Sequence, residues 1–63
     1  MSATDTFEWY VSSNLNTSLP EVHRYVGEKR DTLLALRSED ERQRFVADMI
    51  EEASQGIGPH KPT

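Results

Sequence analysis

Apolar residues recur at helical spacing through the middle of the chain. One set occupies the a and d positions of a heptad repeat. This seam consists of Leu19, Val22, Val26, Leu33 and Leu36. Only Lys29 interrupts the d positions. The pattern predicts a helix over residues 19–37, with Pro20 tolerated in its first turn because the N–H that proline lacks would be unpaired there anyway.

A second apolar face follows at the same kind of spacing and predicts a helix over residues 39–55. Its members are Phe45, Val46, Met49, Ile50 and Ala53. Extending the first heptad register would place Asp40 and Gln43 in the seam, so the register fails near Ser38. We therefore expect two helices in a hairpin, although a junction without Gly or Pro leaves a single bent helix as an alternative.

Each of these helices is preceded by a Ser-x-x-Glu sequence, which is typical of a capping box. The first runs from Ser18 to Glu21 and the second from Ser38 to Glu41. In such a box the serine accepts from an amide three residues on, and the glutamate reaches back to the serine amide. Gly27, inside the first helix, indicates either a close helix approach, a bend or a tolerated surface position.

An aromatic segment at residues 6–11 admits two interpretations. As a strand, Phe7, Trp9 and Val11 would share one face. As a short helix, Phe7, Tyr10, Val11 and Leu15 would share one face, with a capping pattern from Asp5 to Glu8. We favour the helix, because a lone strand has no partner elsewhere in the sequence.

The predicted fold class is all-α: a helical hairpin with this N-terminal helix or strand carrying the aromatic cluster, dimeric or partner-bound. We expect disorder over residues 1–5, a single small helical domain over 6–56 and a flexible tail over 57–63. Residues 12–17 are rich in turn-forming side chains. Gly56 and the Gly58-Pro59 pair predict the end of the second helix.

The amino-acid composition restricts how a chain of this length can be stabilised and where in the cell it is expected. A chain of 63 residues without cysteine has neither disulfides nor thiolate ligands to support a small core, so association with a second copy or a larger protein becomes the expected source of stability. The sequence contains no apolar run of membrane-spanning length and no secretory signal, which predicts a cytoplasmic protein with no membrane contact.

Charge argues against a polyanion partner. The net charge is −4, and residues 21–44 hold six bases interleaved with six acids. The bases are Arg24, Lys29, Arg30, Arg37, Arg42 and Arg44. Such mixing is typical of exposed helices with ion pairs, so nucleic-acid binding is disfavoured, and a helix-turn-helix-type DNA-binding regulator is the weaker alternative.

The sequence contains no recognisable set of catalytic or metal-binding residues. No nucleophile, base and orienting group converge, so we expect no enzyme, no cofactor and no small-molecule substrate. Asp48, Glu51 and Glu52 share a helix face, but hard cations need more ligands than one face supplies. These three acids are instead possible contacts for a basic partner, and His23 fits an ordinary boundary position.

We therefore expect a small non-enzymatic protein–protein interaction module that regulates or inhibits a larger protein, in the manner of an antitoxin or a phage inhibitor. An accessory structural subunit of an enzyme complex is the alternative. The first-helix seam is longer than one further helix can cover, which leaves apolar surface for another chain. The candidate partner-binding residues are Phe7, Trp9, Tyr10, Val22, Val26, Leu33 and Leu34.

Overall fold

The computed structural model describes residues 2–55, which form three α-helices. They are α1 (Ala3–Asn14), α2 (Pro20–Ala35) and α3 (Glu39–Ser54). The all-α prediction is confirmed. The two-helix hairpin with an attached aromatic cluster is wrong, because α1 is a full third helix and α3 packs against both α1 and α2. The predicted helix end at Gly56 and the predicted tail lie outside the described residues.

The first helix settles the choice at residues 6–11 in favour of helix. It begins three residues earlier than expected, so residues 3–5 are helical and not disordered. Its cap is Ser2, whose hydroxyl oxygen accepts from the amide of Asp5 at 3.2 Å, and the predicted Asp5–Glu8 cap is wrong. Ala3 is fully buried, which anchors the helix start in the core.

The link between α1 and α2 is shorter than the turn-forming residues indicated. The first three of them, 12–14, complete α1, and the chain then turns at Asn16. The Asn16 side-chain oxygen accepts from the amide of Ser18 at 3.3 Å and from its hydroxyl at 2.6 Å. Ser18 therefore does not cap α2, whose N-cap is Leu19, followed by Pro20 at the first helical position.

The second junction changes the direction of the chain. Residues 36–38 are extended, with ψ angles of 141° at Leu36 and 138° at Ser38, so a single bent helix is wrong. Ser38 is the N-cap of α3 as predicted, but its side chain makes no capping hydrogen bond. The acids Glu39, Asp40 and Glu41 fill the first turn, where they interact favourably with the partial positive charge of the helix end.

The core draws on all three helices and on the first link. Its buried residues are Ala3, Phe7, Tyr10, Val11, Leu15, Val22, Val26, Leu33, Val46, Met49 and Ala53. Among the described residues, no Asp, Glu, Lys, Arg, His, Asn, Gln, Ser or Thr side chain is buried. The α2 seam is thus covered within the chain, because α1 and α3 both contribute to this core. The expectation of seam surface left over for another chain is wrong for Val22, Val26 and Leu33.

Lys29 interrupts the seam without breaking the packing. Its ammonium group lies 3.6 Å from a carboxylate oxygen of Glu52 on α3. The same group lies 5.3 Å from the ring centre of Tyr25 and 5.6 Å from that of Phe45, which is within cation–π range. The lysine stem can cover apolar surface while its head remains at the edge. Lys29 therefore joins α2 to α3.

The Tyr25 hydroxyl beside this contact is buried and has no hydrogen-bond partner among residues 2–55. Burial is the main reason that the pKa of Tyr25 is raised, and the negative charge of Glu52 adds to it. The phenol is therefore neutral near pH 7.

A polar junction of Glu39 and Arg42 joins the ends of all three helices. One Glu39 oxygen accepts from the backbone amide of Ala3 at 2.8 Å, and the other accepts from Arg42 Nε at 3.2 Å. Arg42 also donates to the carbonyl of Leu36, just past α2, at 2.7 Å. The acid thus meets the positive start of α1 and the base meets the negative end of α2, as helix dipoles favour.

Candidate functional site

The structure divides the seven candidate partner-binding residues into two groups. Five of them are buried in the core of the chain and are not available to a partner in this structure: Phe7, Tyr10, Val22, Val26 and Leu33. The other two, Trp9 and Leu34, are 56% and 64% exposed. They are the only large hydrophobic side chains classed as exposed among residues 2–55.

Trp9 points to solvent because of the helical period of α1. The buried stripe of this helix contains Ala3, Phe7, Tyr10 and Val11, and the opposite stripe contains Asp5, Glu8, Trp9 and Ser12. The indole therefore lies among polar side chains, one helical turn after Asp5. Ser12 donates to the Trp9 carbonyl at 3.1 Å, which keeps this hydroxyl against the helix backbone.

An ion pair between α1 and α2 involves Glu8, the residue before Trp9. Arg30 donates from Nη2 to one oxygen of Glu8 at 2.7 Å and from Nε to the other at 3.1 Å. This two-bond geometry is the strong form of an arginine–carboxylate contact. The guanidinium carbon also lies 5.5 Å from the ring centre of Phe7. The hydrogen bond that Arg30 donates to Glu8 raises the pKa of Arg30, so the guanidinium stays charged.

Leu34 lies one helical turn beyond Arg30 on α2, and Trp9 directly follows Glu8 on α1. Each helix therefore has one exposed apolar residue within one helical turn of its partner in the ion pair. We call Glu8, Trp9, Arg30 and Leu34 the α1–α2 patch. Sequence reasoning found its two apolar members but missed the ion pair, because its partners are 22 residues apart and share no local pattern.

The three acids of α3 lie on a separate surface. Asp48, Glu51 and Glu52, with Gln55, line an open depression. Glu52 is engaged by Lys29, whereas Asp48 and Glu51 are exposed. Within residues 2–55, no three His, Cys, Asp or Glu side chains are grouped so that they could hold a metal ion. The depression is an acidic surface.

The central bases do not form one cationic surface. Lys29, Arg30 and Arg42 each make an ion pair with an acid of the same chain. The remaining three, Arg24, Arg37 and Arg44, are exposed on α2, on the link after it and on α3. His23 is exposed on α2. Three of these six basic side chains are thus neutralised by acids of the same chain, which leaves less positive charge to attract a polyanion.

The chain matches no protein-family model, no curated protein and no solved structure. None of the helices in the described part of the chain has the length and apolar character needed to cross a membrane.

Proposed function

We propose that this chain is a small non-enzymatic protein–protein interaction module of the cytoplasm, which regulates or inhibits a larger protein that it contacts through the α1–α2 patch. The observation that carries the proposal is the exposure of Trp9, at 56%, on a helix that buries its other two aromatic rings, Phe7 and Tyr10. Tryptophan is the residue type most enriched among interface hot spots.

The rest of the patch supports this role. Leu34 adds a second exposed apolar side chain, and the Glu8–Arg30 pair supplies charged groups within one helical turn of each. Hot spots are typically an apolar anchor beside charged or polar contacts that become desolvated on binding. Single exposed apolar residues are common on protein surfaces. The support for a docking surface is therefore that two of them lie within one helical turn of the two partners of one interhelical ion pair.

The test is affinity capture from cells of the source organism with a tagged chain, followed by mass spectrometry. Trp9→Ala and Leu34→Ala remove the anchors, and Ser54→Ala is the control, since Ser54 is exposed on α3, which contributes no residue to the patch. We expect one protein to be retained by the wild type and by Ser54→Ala and lost with Trp9→Ala. Circular dichroism must show that all variants are folded.

Two outcomes oppose the proposal. Capture that survives both Trp9→Ala and Leu34→Ala would mean that the patch is not the docking surface. Capture of duplex DNA that weakens steeply as salt rises would favour the DNA-binding regulator. If the retained protein is an enzyme that loses solubility without this chain, the accessory-subunit role is the better description.

A further inference from the structure

We infer that the partner of the α1–α2 patch presents a positively charged surface, with lysine or arginine side chains placed to meet Asp5 and the Trp9 ring around an apolar pocket. This inference rests on the proposed function and specifies the chemistry of the partner. The juxtaposition that carries it is an exposed indole on a helix whose solvent stripe contains acids and no base.

The surroundings of Trp9 are anionic on α1. The first 20 residues contain two acids, Asp5 and Glu8, and neither lysine nor arginine. Arg30 compensates Glu8, but Asp5 takes part in none of the ion pairs seen within residues 2–55. The last turn of α1 also lacks a basic residue, so the partial negative charge of that helix end is not compensated by its own side chains.

This arrangement suits a cation on the indole. A tryptophan ring attracts lysine and arginine through its negative face, with a typical gain of about 0.5–2 kcal/mol. Asp5, one turn before Trp9, would add an ion pair at the rim of the contact. Rim charges mainly affect association rate and salt dependence, so the proposed surface should bind more weakly as ionic strength rises.

A second copy of the chain fits this surface poorly. A stable interface typically buries about 800 Å² on each partner, which is roughly a fifth of the 4325 Å² surface of this chain. Only two large apolar side chains are exposed in the described part to supply its centre.

Trp9 provides a direct probe because it is the only tryptophan in the sequence. The experiment titrates the full chain with two synthetic amphipathic helical peptides that share a leucine face, one carrying lysine on its polar face and the other glutamate. We expect the lysine peptide to shift Trp9 emission to the blue, with an affinity that falls as salt is added. We expect a much weaker response to the glutamate peptide.

Variants separate the charge effect from the anchor. Asp5→Asn should weaken the lysine peptide about twofold to fivefold, the change that an exposed ion pair supports. The control Glu28→Gln removes one charge from an exposed position of α2 outside the patch and should leave the affinity unchanged. Equal binding of both peptides, equal effects of Asp5→Asn and Glu28→Gln, or no emission change with either peptide would overturn the inference.

The outcome is distinguishable from failure of the proposed function. If affinity capture depends on Trp9 but yields a partner with an acidic docking surface, the interaction module stands and the cationic partner is wrong. If capture is indifferent to Trp9, the proposed function fails whatever the peptides do.

Discussion

Phe7 and Trp9 are aromatic residues two positions apart on α1, yet one is fully buried and the other is 56% exposed. A strand would place both on one face, whereas the helical period turns Phe7 towards α2 and α3 and Trp9 towards solvent. The helix α1 therefore has two roles. Its inner stripe closes the core, and its outer stripe forms part of the candidate docking surface.

The largest expected effect separates these stripes directly. Phe7→Ala should destabilise the fold by about 3–5 kcal/mol, because it leaves a cavity in the core and removes the ring that contacts Arg30. A chain of this size has a total stability of roughly 3–9 kcal/mol, so the variant should be largely unfolded. Far-UV circular dichroism and thermal melting measure the loss.

Trp9→Ala is the matched control for Phe7→Ala, since it deletes a larger aromatic ring from the same helix. We expect a change in stability of about 1 kcal/mol or less, because the indole is mostly outside the core. Equal destabilisation by the two substitutions would mean that Trp9 is a core residue and that the two-stripe description of α1 is wrong.

The next effect concerns the carboxylate of Glu39, which lies in the polar junction and not in the patch. The amide of Ala3 is the main reason that the pKa of Glu39 is lowered, and Arg42 adds to the shift. A lowered folded-state pKa means stability that is present above the unfolded-state pKa of about 4.3 and is lost as pH falls below it.

Glu39→Gln should therefore lower the melting temperature at pH 7 and flatten the decline in stability on acidification below about pH 4.3. Glu41→Gln is the control, because Glu41 belongs to the same helix turn and none of the hydrogen bonds of the polar junction involves it. Identical melting curves for these two variants across the acid range would show that the bond to Ala3 contributes nothing to stability.

The helices could be predicted from the sequence, whereas the polar contacts between them could not. The start of α3 at Glu39 and the inward faces of α2 and α3 follow from apolar spacing within one helix, which is a local signal. The contacts of Glu39 with Ala3 and of Glu8 with Arg30 join residues 36 and 22 positions apart, and a single sequence carries no periodic signal for them.

The capping boxes failed for a local reason at Ser18 and without an evident one at Ser38. At Ser18, the serine hydroxyl donates its hydrogen bond to the side-chain oxygen of Asn16. In addition, α2 begins at Pro20, one residue later than the capping box implies. The predicted aromatic cluster is wrong as a unit, because the helical period separates Phe7 and Tyr10, which are buried, from Trp9, which is exposed.

The smallest expected effect is at Gly27, where a substitution tests whether another chain packs on this face of α2. Among residues 2–55, a Cβ added at Gly27 would meet nothing within 4 Å, so the close-approach explanation for this glycine has no support in that part of the chain. Gly27→Ala should then stabilise the protein by about 0.5–1 kcal/mol through helix propensity alone. The measurement is the urea midpoint at an unchanged slope. Ala47→Gly, at an exposed interior position of α3, should give a loss of about the same size. A loss of stability or a change in mass by light scattering with Gly27→Ala would instead indicate that another chain packs closely on this face of α2, and the docking surface would then have to be moved from Trp9 to Gly27.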